Sequence, residues 1–270
     1  MPELPEVETI SRGLANTITG KTIARVEVGW KKIALAPKGV RFEKALPGET
    51  ILRVWRRAKY SVMDLSSGHR LVTSLRMTGR LIVQAAADPP YPYGHAILYF
   101  TDGSRLVFSE MRKFGRMRLV EPDEAWDVDL GVEPLDKAFT PQAFIGMLSG
   151  RTTPIKALLL DQRRIAGIGN IYACEALWEA RIRPDRPAGK LTTPAIARLH
   201  DAIVDVLNRA IDMRGSSVDD YVDAEGLTGG FQNVLSVYGR LGRPCVRCER
   251  PIVRTVLGGR GTWWCRGCQR

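Results

Sequence analysis

The chain of 270 residues contains no long apolar run; no wholly aliphatic stretch is longer than the four residues of Ala157 to Leu160, far too short to cross a bilayer. No apolar segment follows a basic start at the N-terminus, so no secretion signal is expected. A long basic amphipathic helix of the kind that lies on a membrane surface is also missing. Cysteine is scarce outside the last 30 residues, where Cys174 stands alone in an apolar helical pattern and reads as a packed core thiol. Acidic residues are outnumbered, 29 against 40 Lys and Arg. Together these absences argue against a membrane protein or a disulfide-stapled secreted scaffold, and point to a soluble cytoplasmic chain.

What is present is positive charge in a particular place. The net charge is +11 and the isoelectric point near 9.7, which favours a polyanionic partner. Residues 241–270 carry seven basic groups and one acidic group, so over half of the surplus lies in the tail. The same tail holds Cys245-x2-Cys248-x16-Cys265-x2-Cys268. Two close pairs on two turns bring four thiolates to the corners of a tetrahedron, as structural zinc requires. Two disulfides are the rival reading, and the missing secretion signal favours one Zn2+. Four ligands leave no open position, so the metal is expected to fold the tail rather than to catalyse. Between the pairs, Arg260 follows Gly258-Gly259 as a cation on a tight turn, suited to gripping a phosphate or simply exposed to solvent.

The other end of the chain, Met1-Pro2-Glu3-Leu4-Pro5-Glu6-Val7-Glu8, offers chemistry of its own. If Met1 is trimmed, which the small Pro2 permits, the chain starts with a secondary amine beside the carboxylate of Glu3. An α-amino group with a pKa near ~8 keeps a sizeable neutral, nucleophilic fraction at neutral pH. Attack on a sugar C1′ would give a cationic iminium, with an adjacent carboxyl to move protons. The alternative is that Pro2 and Pro5 only stiffen the approach to a helix.

Hydrophobic content of 44% in a chain of this length suffices for at least two cores. Val7, Ile10, Leu14 and Ile18 fall on one helical face, predicting a helix over 5–18. Alternation then predicts strands at 22–29, 50–57, 59–65, 70–75, 79–84, 95–100, 105–109 and 115–121, an antiparallel sandwich or flattened barrel. Arg56-Arg57-Ala58-Lys59-Tyr60 places cations at a strand junction, where Arg57 and Lys59 share a face or merely form a solvated edge. Met77, after Arg76, and Phe114, in Arg112-Lys113-Phe114-Gly115, are apolar tips beside cations on turns, and either fill the core or wedge into a vacated base stack. Residues 122–150 read as an acidic, Pro-containing, irregular connection. From Thr153 the pattern is helical. A tight turn at Gly167-Ile168-Gly169-Asn170 leads into a helix over 171–181, with Asn170 either its N-cap or a donor to a phosphate. Another helix is predicted over 194–214, followed by a mobile Gly226–Gly230 loop.

From Pro2 to Cys268 these motifs resemble the formamidopyrimidine-DNA glycosylase family in its bacterial 8-oxoguanine form. The resemblance rests on the opening Pro2-Glu3-Leu4-Pro5-Glu6-Val7-Glu8, on Asp161 to Arg186 with Gly167-Ile168-Gly169-Asn170-Ile171-Tyr172-Ala173 as a helix-two-turn-helix, on Val237-Tyr238-Gly239-Arg240, and on the four-cysteine finger. It implies a bifunctional glycosylase and AP lyase that excises oxidised purines from double-stranded DNA and then cleaves the strand by β,δ-elimination. It implies further that Pro2 is the Schiff-base nucleophile, that Glu3 is the acid/base, and that Lys59 and Arg260 assist strand cleavage and phosphate binding. Asn170 with Lys156 would hold the backbone around a flipped nucleotide. Met77, Arg112 and Phe114 would fill the gap and face the orphaned cytosine, and Tyr93 and Arg151 would touch DNA. The chain departs from the family where Glu110-Met111-Arg112-Lys113-Phe114-Gly115 stands in place of Asp-Pro-Arg-Arg-Phe-Gly, and where Ser74 and Tyr93 replace frequent histidines.

The expected fold is α+β: an N-terminal helix and antiparallel β-sandwich lobe over 1–130, a linker over 131–150, a helix-two-turn-helix lobe over 151–238 and a zinc-finger hairpin over 239–270. The protein is expected to be a monomer associated with the bacterial nucleoid and with no membrane partner. Two alternatives follow from the same residues: an oxidised-pyrimidine glycosylase of the same superfamily, which Leu4 and the Ser216–Phe231 loop disfavour by resemblance, and a non-catalytic zinc-finger DNA-binding protein.

Overall fold

A computed structural model describes residues 1–218 and 221–270, which fold into two units. The first comprises 1–128 and 213–230; the second comprises 129–212 and 231–270.

The first unit begins with helix α1, Leu4–Ile18, close to the predicted 5–18. Leu4, Val7, Ile10, Leu14 and Ile18 are all fully buried, so one whole face of the helix is built into the core while Arg12, Asn16 and Thr17 stay exposed on the other. Each such side chain contributes roughly 1.5–3 kcal/mol relative to exposure. Two sheets supply the rest of that core. One has the strand order β1-β7-β8-β6, formed by β1 (Ile23–Val28), β7 (Gly94–Phe100), β8 (Arg105–Glu110) and β6 (Gly79–Gln84). The other runs β2-β9-β5-β4-β3, formed by β2 (Ala34–Leu35), β9 (Arg116–Val120), β5 (Arg70–Ser74), β4 (Tyr60–Leu65) and β3 (Ile51–Arg57). Leu98, Leu106 and Phe108 from the first sheet and Met63, Leu71 and Met117 from the second join the cluster around α1. The outer face of the second sheet is also partly covered, because Val62, Val72 and Val120 pack with Tyr60 and Trp126. Hence β4 is buried at more positions than simple alternation foresees.

All eight predicted strands are present. Alternation gave no sign of β2, a two-residue strand pairing parallel to β9, and helical periodicity none of the single-turn helix α2, Phe42–Ala45. Both are too short to show a period.

In the second unit the expectation of an irregular linker at 131–150 is corrected. Helix α3, Pro141–Leu148, starts there with Thr140 as N-cap, its hydroxyl accepting the Ala143 N–H at 3.1 Å. Phe144 and Leu148 are fully buried and α3 packs on α6. Eight residues gave too few turns for a period, although Thr140-Pro141 is a helix-start signature. Helix α4 (Ile155–Leu160), α5 (Asn170–Glu179) and α6 (Thr193–Asp212) follow, then the hairpin β10 (Ile252–Leu257) and β11 (Arg260–Cys265). Cys174 and Trp178 on α5 pack with Val237, Cys245, Ile252 and Cys265, so Cys174 is a core thiol. No helix among the described residues is long and apolar enough to cross a membrane.

Candidate active site and metal centre

In the first unit, Glu3 precedes α1 as its N-cap and closes a reciprocal box. Its side chain accepts the Glu6 N–H, while Glu6 Oε2 accepts the Glu3 N–H at 2.8 Å. The three-residue step from Glu3 to Glu6 is the sequence signature of a capping box with a carboxylate in place of the usual hydroxyl. Pro2, Glu3 and Glu6 are all buried. Glu6 also reaches the returning segment of the same unit, with Oε1 accepting the Ser216 N–H at 2.8 Å and its carbonyl accepting Tyr221 Oη–H at 3.4 Å. Sequence reasoning placed Glu6 only in the first helical turn and missed this second role, because Ser216 is 210 residues away. Of the Ser216–Phe231 loop, residues 219 and 220 lie outside the described residues. The Gly226–Gly230 stretch, expected as a mobile loop, has a hydrogen-bonded frame: Asp223 Oδ1 accepts the Glu225 and Leu227 N–H groups, each at 3.0 Å.

Lys59 stands with Ala58 in the two-residue turn between β3 and β4, where Arg57 pairs with Tyr60. Ala58 has φ of 52°, the left-handed region that a non-glycine residue adopts only when its surroundings hold it there. They do: Arg56 donates to Glu8 Oε2 at 2.7 Å and to the Ala58 carbonyl at 3.1 Å, which ties the Lys59 turn to the first turns of α1. Burial pushes the Glu8 pKa up, but the Arg56 charge and hydrogen bond, aided by Arg12, outweigh it and hold the carboxyl below its ordinary value. Arg57, at the end of β3, donates to Asp127 Oδ2 at 2.9 Å.

Met77, Arg112 and Phe114 come together on one surface. The Arg112 guanidinium is 3.1 Å from Met77 Sδ and 5.2 Å from the Phe114 ring centre. Met77 is 42% exposed and Phe114 53%, which removes the core reading for both. Tyr93, 58% exposed with φ of 56°, is nearby in the chain fold, its carbonyl accepting the Glu110 N–H at 3.1 Å.

In the second unit, Asn170 is the first residue of α5 and Gly169 its N-cap, so the N-cap reading for Asn170 is corrected. Gln162 shapes the preceding turn, donating to the Leu160 and Ile168 carbonyls and accepting the Gly167 N–H. Lys156, 1% exposed, points its ammonium at Asn170 Oδ1 (2.6 Å), Thr262 Oγ1 (2.7 Å) and the Gly261 carbonyl (3.1 Å). Asn170 Nδ2 donates to the same carbonyl at 3.0 Å. The buried lysine therefore joins the α4–α5 corner to the root of the β10–β11 turn. At that turn Gly258 and Gly259 have φ of 56° and 72°, as a two-residue hairpin loop demands, and Arg260 emerges exposed. Arg151 is exposed just before α4. Sequence reasoning also missed Glu175, a buried carboxylate that accepts the Ser236, Val237 and Tyr238 N–H groups at 2.8–3.0 Å and so fixes the Val237–Arg240 motif. Burial raises its pKa against the pull of those three N–H groups.

We predict that Lys156→Met takes the donor away from Asn170 Oδ1 and Thr262 Oγ1, while the Gly261 carbonyl keeps the Asn170 amide. At roughly 1–3 kcal/mol for an unsatisfied buried group, denaturant unfolding of this unit should shift by about 2 kcal/mol. An unchanged midpoint would show that the ammonium contributes nothing.

The Cys245, Cys248, Cys265 and Cys268 sulfurs lie within 4.8 Å of one another, with Cys245–Cys268 at 3.8 Å and Cys248–Cys265 at 3.4 Å. A Zn–S bond of ~2.3 Å in a tetrahedron places sulfurs about 3.8 Å apart, so the spacing fits zinc. The surroundings fit as well. Burial works against the Cys245 thiolate, but the Arg247 N–H, the Trp178 indole N–H and the Cys248 N–H bring its pKa down to about 6. Burial and the crowding of the other sulfurs push Cys268 up to about 12, a repulsion that a divalent cation relieves.

Comparison with known proteins agrees with this geometry. The formamidopyrimidine-DNA glycosylase N-terminal domain profile matches residues 1–117, the formamidopyrimidine-DNA glycosylase H2TH domain matches 130–222, and a zinc finger found in FPG and IleRS matches 242–270. A formamidopyrimidine-DNA glycosylase of Brevibacillus brevis is 46% identical over all of this chain and 99% of its own length. Among solved structures, MutM (FPG) of Thermus thermophilus superimposes with a TM-score of 0.89 at 41% identity, over 99% of this chain and 98% of its own. A Lactococcus lactis FPG mutant in complex with Fapy-dG-containing DNA does so with 0.93 at 36% identity, over 100% of both chains. The α+β fold with its finger, the zinc-binding cysteine cluster and the full-length matches agree, and the chain belongs to the formamidopyrimidine-DNA glycosylase family, a family of DNA-repair enzymes.

Proposed function

We propose that this chain is a bifunctional glycosylase and AP lyase that excises oxidised purines, 8-oxoguanine and formamidopyrimidines, from double-stranded DNA. The observation that carries the reading is the start of the chain. Pro2 is buried beside a carboxylate whose backbone and side chain are both fixed by Glu6. A nucleophile and an acid/base held together in this way are pre-positioned for attack on a sugar carbon.

Removal of Met1 frees the Pro2 nitrogen. Its lone pair forms a bond to C1′ as the glycosidic C–N bond breaks and the base departs with that electron pair and a proton. Glu3 moves protons on the opening sugar, and a covalent iminium results. The iminium acidifies the C2′ hydrogen; loss of that proton expels the 3′ phosphate, a second elimination expels the 5′ phosphate, and water then frees Pro2. Lys59 and Arg260 assist these departures by stabilising the charge that develops on each leaving phosphate. Before any of this the damaged base must leave the stack, at a cost of a few kcal/mol. Met77 and Phe114 offset that cost by filling the gap, Arg112 faces the orphaned cytosine, and Arg151, Asn170 and Tyr93 hold backbone. Lys156 serves here as the support of Asn170 and of the Arg260 turn.

The test is incision of duplexes carrying 8-oxoguanine, a formamidopyrimidine or an oxidised pyrimidine, mixed in one reaction. Preferential cleavage of the two purine lesions is expected; preference for the pyrimidine would move the chain to the other specificity, and no cleavage of any would leave a DNA-binding protein only. Binding is expected to be salt-dependent. With three cationic phosphate contacts, from Lys59, Arg151 and Arg260, the log–log slope should be about −3, and a flat response between about 50 and 200 mM salt would contradict the phosphate assignments.

A further inference from the structure

Glu110 ends β8 opposite Gly79, the first residue of β6, at the point where two exposed turns leave the sheet. One turn carries Met77 and the other carries Arg112 and Phe114. The Glu110 side chain is fully buried. Its Oε1 accepts the Thr78 hydroxyl and, at 3.1 Å, the Arg112 N–H. Its Oε2 accepts the Phe114 N–H at 2.9 Å and the Gly115 N–H. One carboxylate thus takes four donors from both turns, which fills its accepting capacity.

We propose that Glu110 is the positioning residue that locks Met77, Arg112 and Phe114 into a single wedge, and that this lock sets how strongly the enzyme discriminates the base opposite the lesion. The inference rests on the wedge role proposed above. Three features carry it. The wedge is half-exposed and includes a left-handed residue, Lys113 with φ of 60°, so its shape needs a fixed frame. The close approach of the carboxylate is built in, since a Cβ on Gly115 would lie 2.7 Å from Phe108 Cζ and 3.0 Å from Glu110 Cγ. Finally, residue 111 is Met, where the family resemblance leads one to expect a proline. Proline would restrict the turn by fixing its own φ; here the restriction comes from hydrogen bonds to a longer carboxylate.

Glu110→Gln keeps the shape but turns an amide NH2 toward N–H donors, so at least one turn is released. Single-turnover rates would be measured for a lesion opposite cytosine, a lesion opposite adenine and a preformed abasic site, with 2-aminopurine beside the lesion to report wedge insertion. In the variant, excision opposite cytosine should fall about tenfold further than cleavage of the abasic duplex, and the cytosine-to-adenine ratio should fall about tenfold. The 2-aminopurine signal should weaken with them. A proportional fall in all three rates, with the ratio and the fluorescence unchanged, would reduce Glu110 to a fold-stabilising residue and overturn the proposal. If the variant does not fold, Thr78→Val removes only the bridge to the Met77 turn and is judged by the same ratio. Wild-type protein that fails to incise any lesion would sink the proposed function itself, an outcome visible before any variant is made.

Discussion

A chain lengthened by one untrimmed residue ahead of Pro2 is expected to lose lesion excision by a factor on the order of 10^4 or more, the scale of removing a nucleophile outright. The extension turns the secondary amine into an amide, whose nitrogen lone pair is delocalised and forms no iminium. Borohydride should trap the trimmed protein covalently on an 8-oxoguanine duplex and leave the extended one free. Binding should change much less, because the phosphate-gripping and wedge residues lie elsewhere in the chain. Glu3→Gln separates the two functions of this terminus. Its side chain still accepts the Glu6 N–H as cap, yet it has no proton to exchange near neutral pH, so excision should fall by about 10^2- to 10^4-fold with the duplex still bound. Full-speed incision by the extended chain would end the case for Pro2, and equal loss of binding and excision in Glu3→Gln would make Glu3 a cap and nothing more.

The parts of this arrangement that the sequence made legible are those with a short-range signature. Eight strands followed from period-two alternation, α1 from four apolar residues on one face, and the metal centre from cysteine spacing. The Ala58–Lys59 turn was readable as a cluster of cations between two strands. What stayed hidden depends on partners far apart in sequence. Lys156 was expected, by resemblance, to hold DNA backbone together with Asn170; that it is buried depends on Thr262, 106 residues later. Glu6 read only as a first-turn helix carboxylate and Glu175 was not singled out, yet each is committed to backbone N–H groups of a distant segment. Glu110 showed only as a departure from an expected Asp-Pro. Helix α3 was lost because its segment is rich in residues that favour turns and too short for a period, while its two buried aromatic and aliphatic side chains have meaning only against α6. In each case a partner far along the chain, absent from the local pattern, decided the role.

Removal of zinc tests that coupling at its strongest point. A structural zinc in a small cysteine site contributes about 10–16 kcal/mol of apparent binding free energy, comparable to the whole stability of a typical domain, so the metal-free finger is expected to unfold. The consequences should spread along named contacts. Cys245 and Cys265 are part of the cluster that buries Cys174 and Trp178, so chelation should expose the Trp178 indole and shift its fluorescence to the red. The β10–β11 hairpin supplies the Gly261 carbonyl and Thr262 hydroxyl to Lys156, so its loss takes both of these oxygens from a buried ammonium. Arg260 then has no rigid turn from which to reach a phosphate. We therefore expect affinity for a duplex to fall by about a hundredfold or more, which is the scale of losing two or more charge-assisted phosphate contacts. Cys248→Ser should behave in the same way, and added zinc should restore the chelated wild type but not the variant. Protein shown by elemental analysis to hold no zinc, yet retaining both its tryptophan emission and its affinity, would mean that the four thiols fold the hairpin unaided and that the metal has no structural task in this chain.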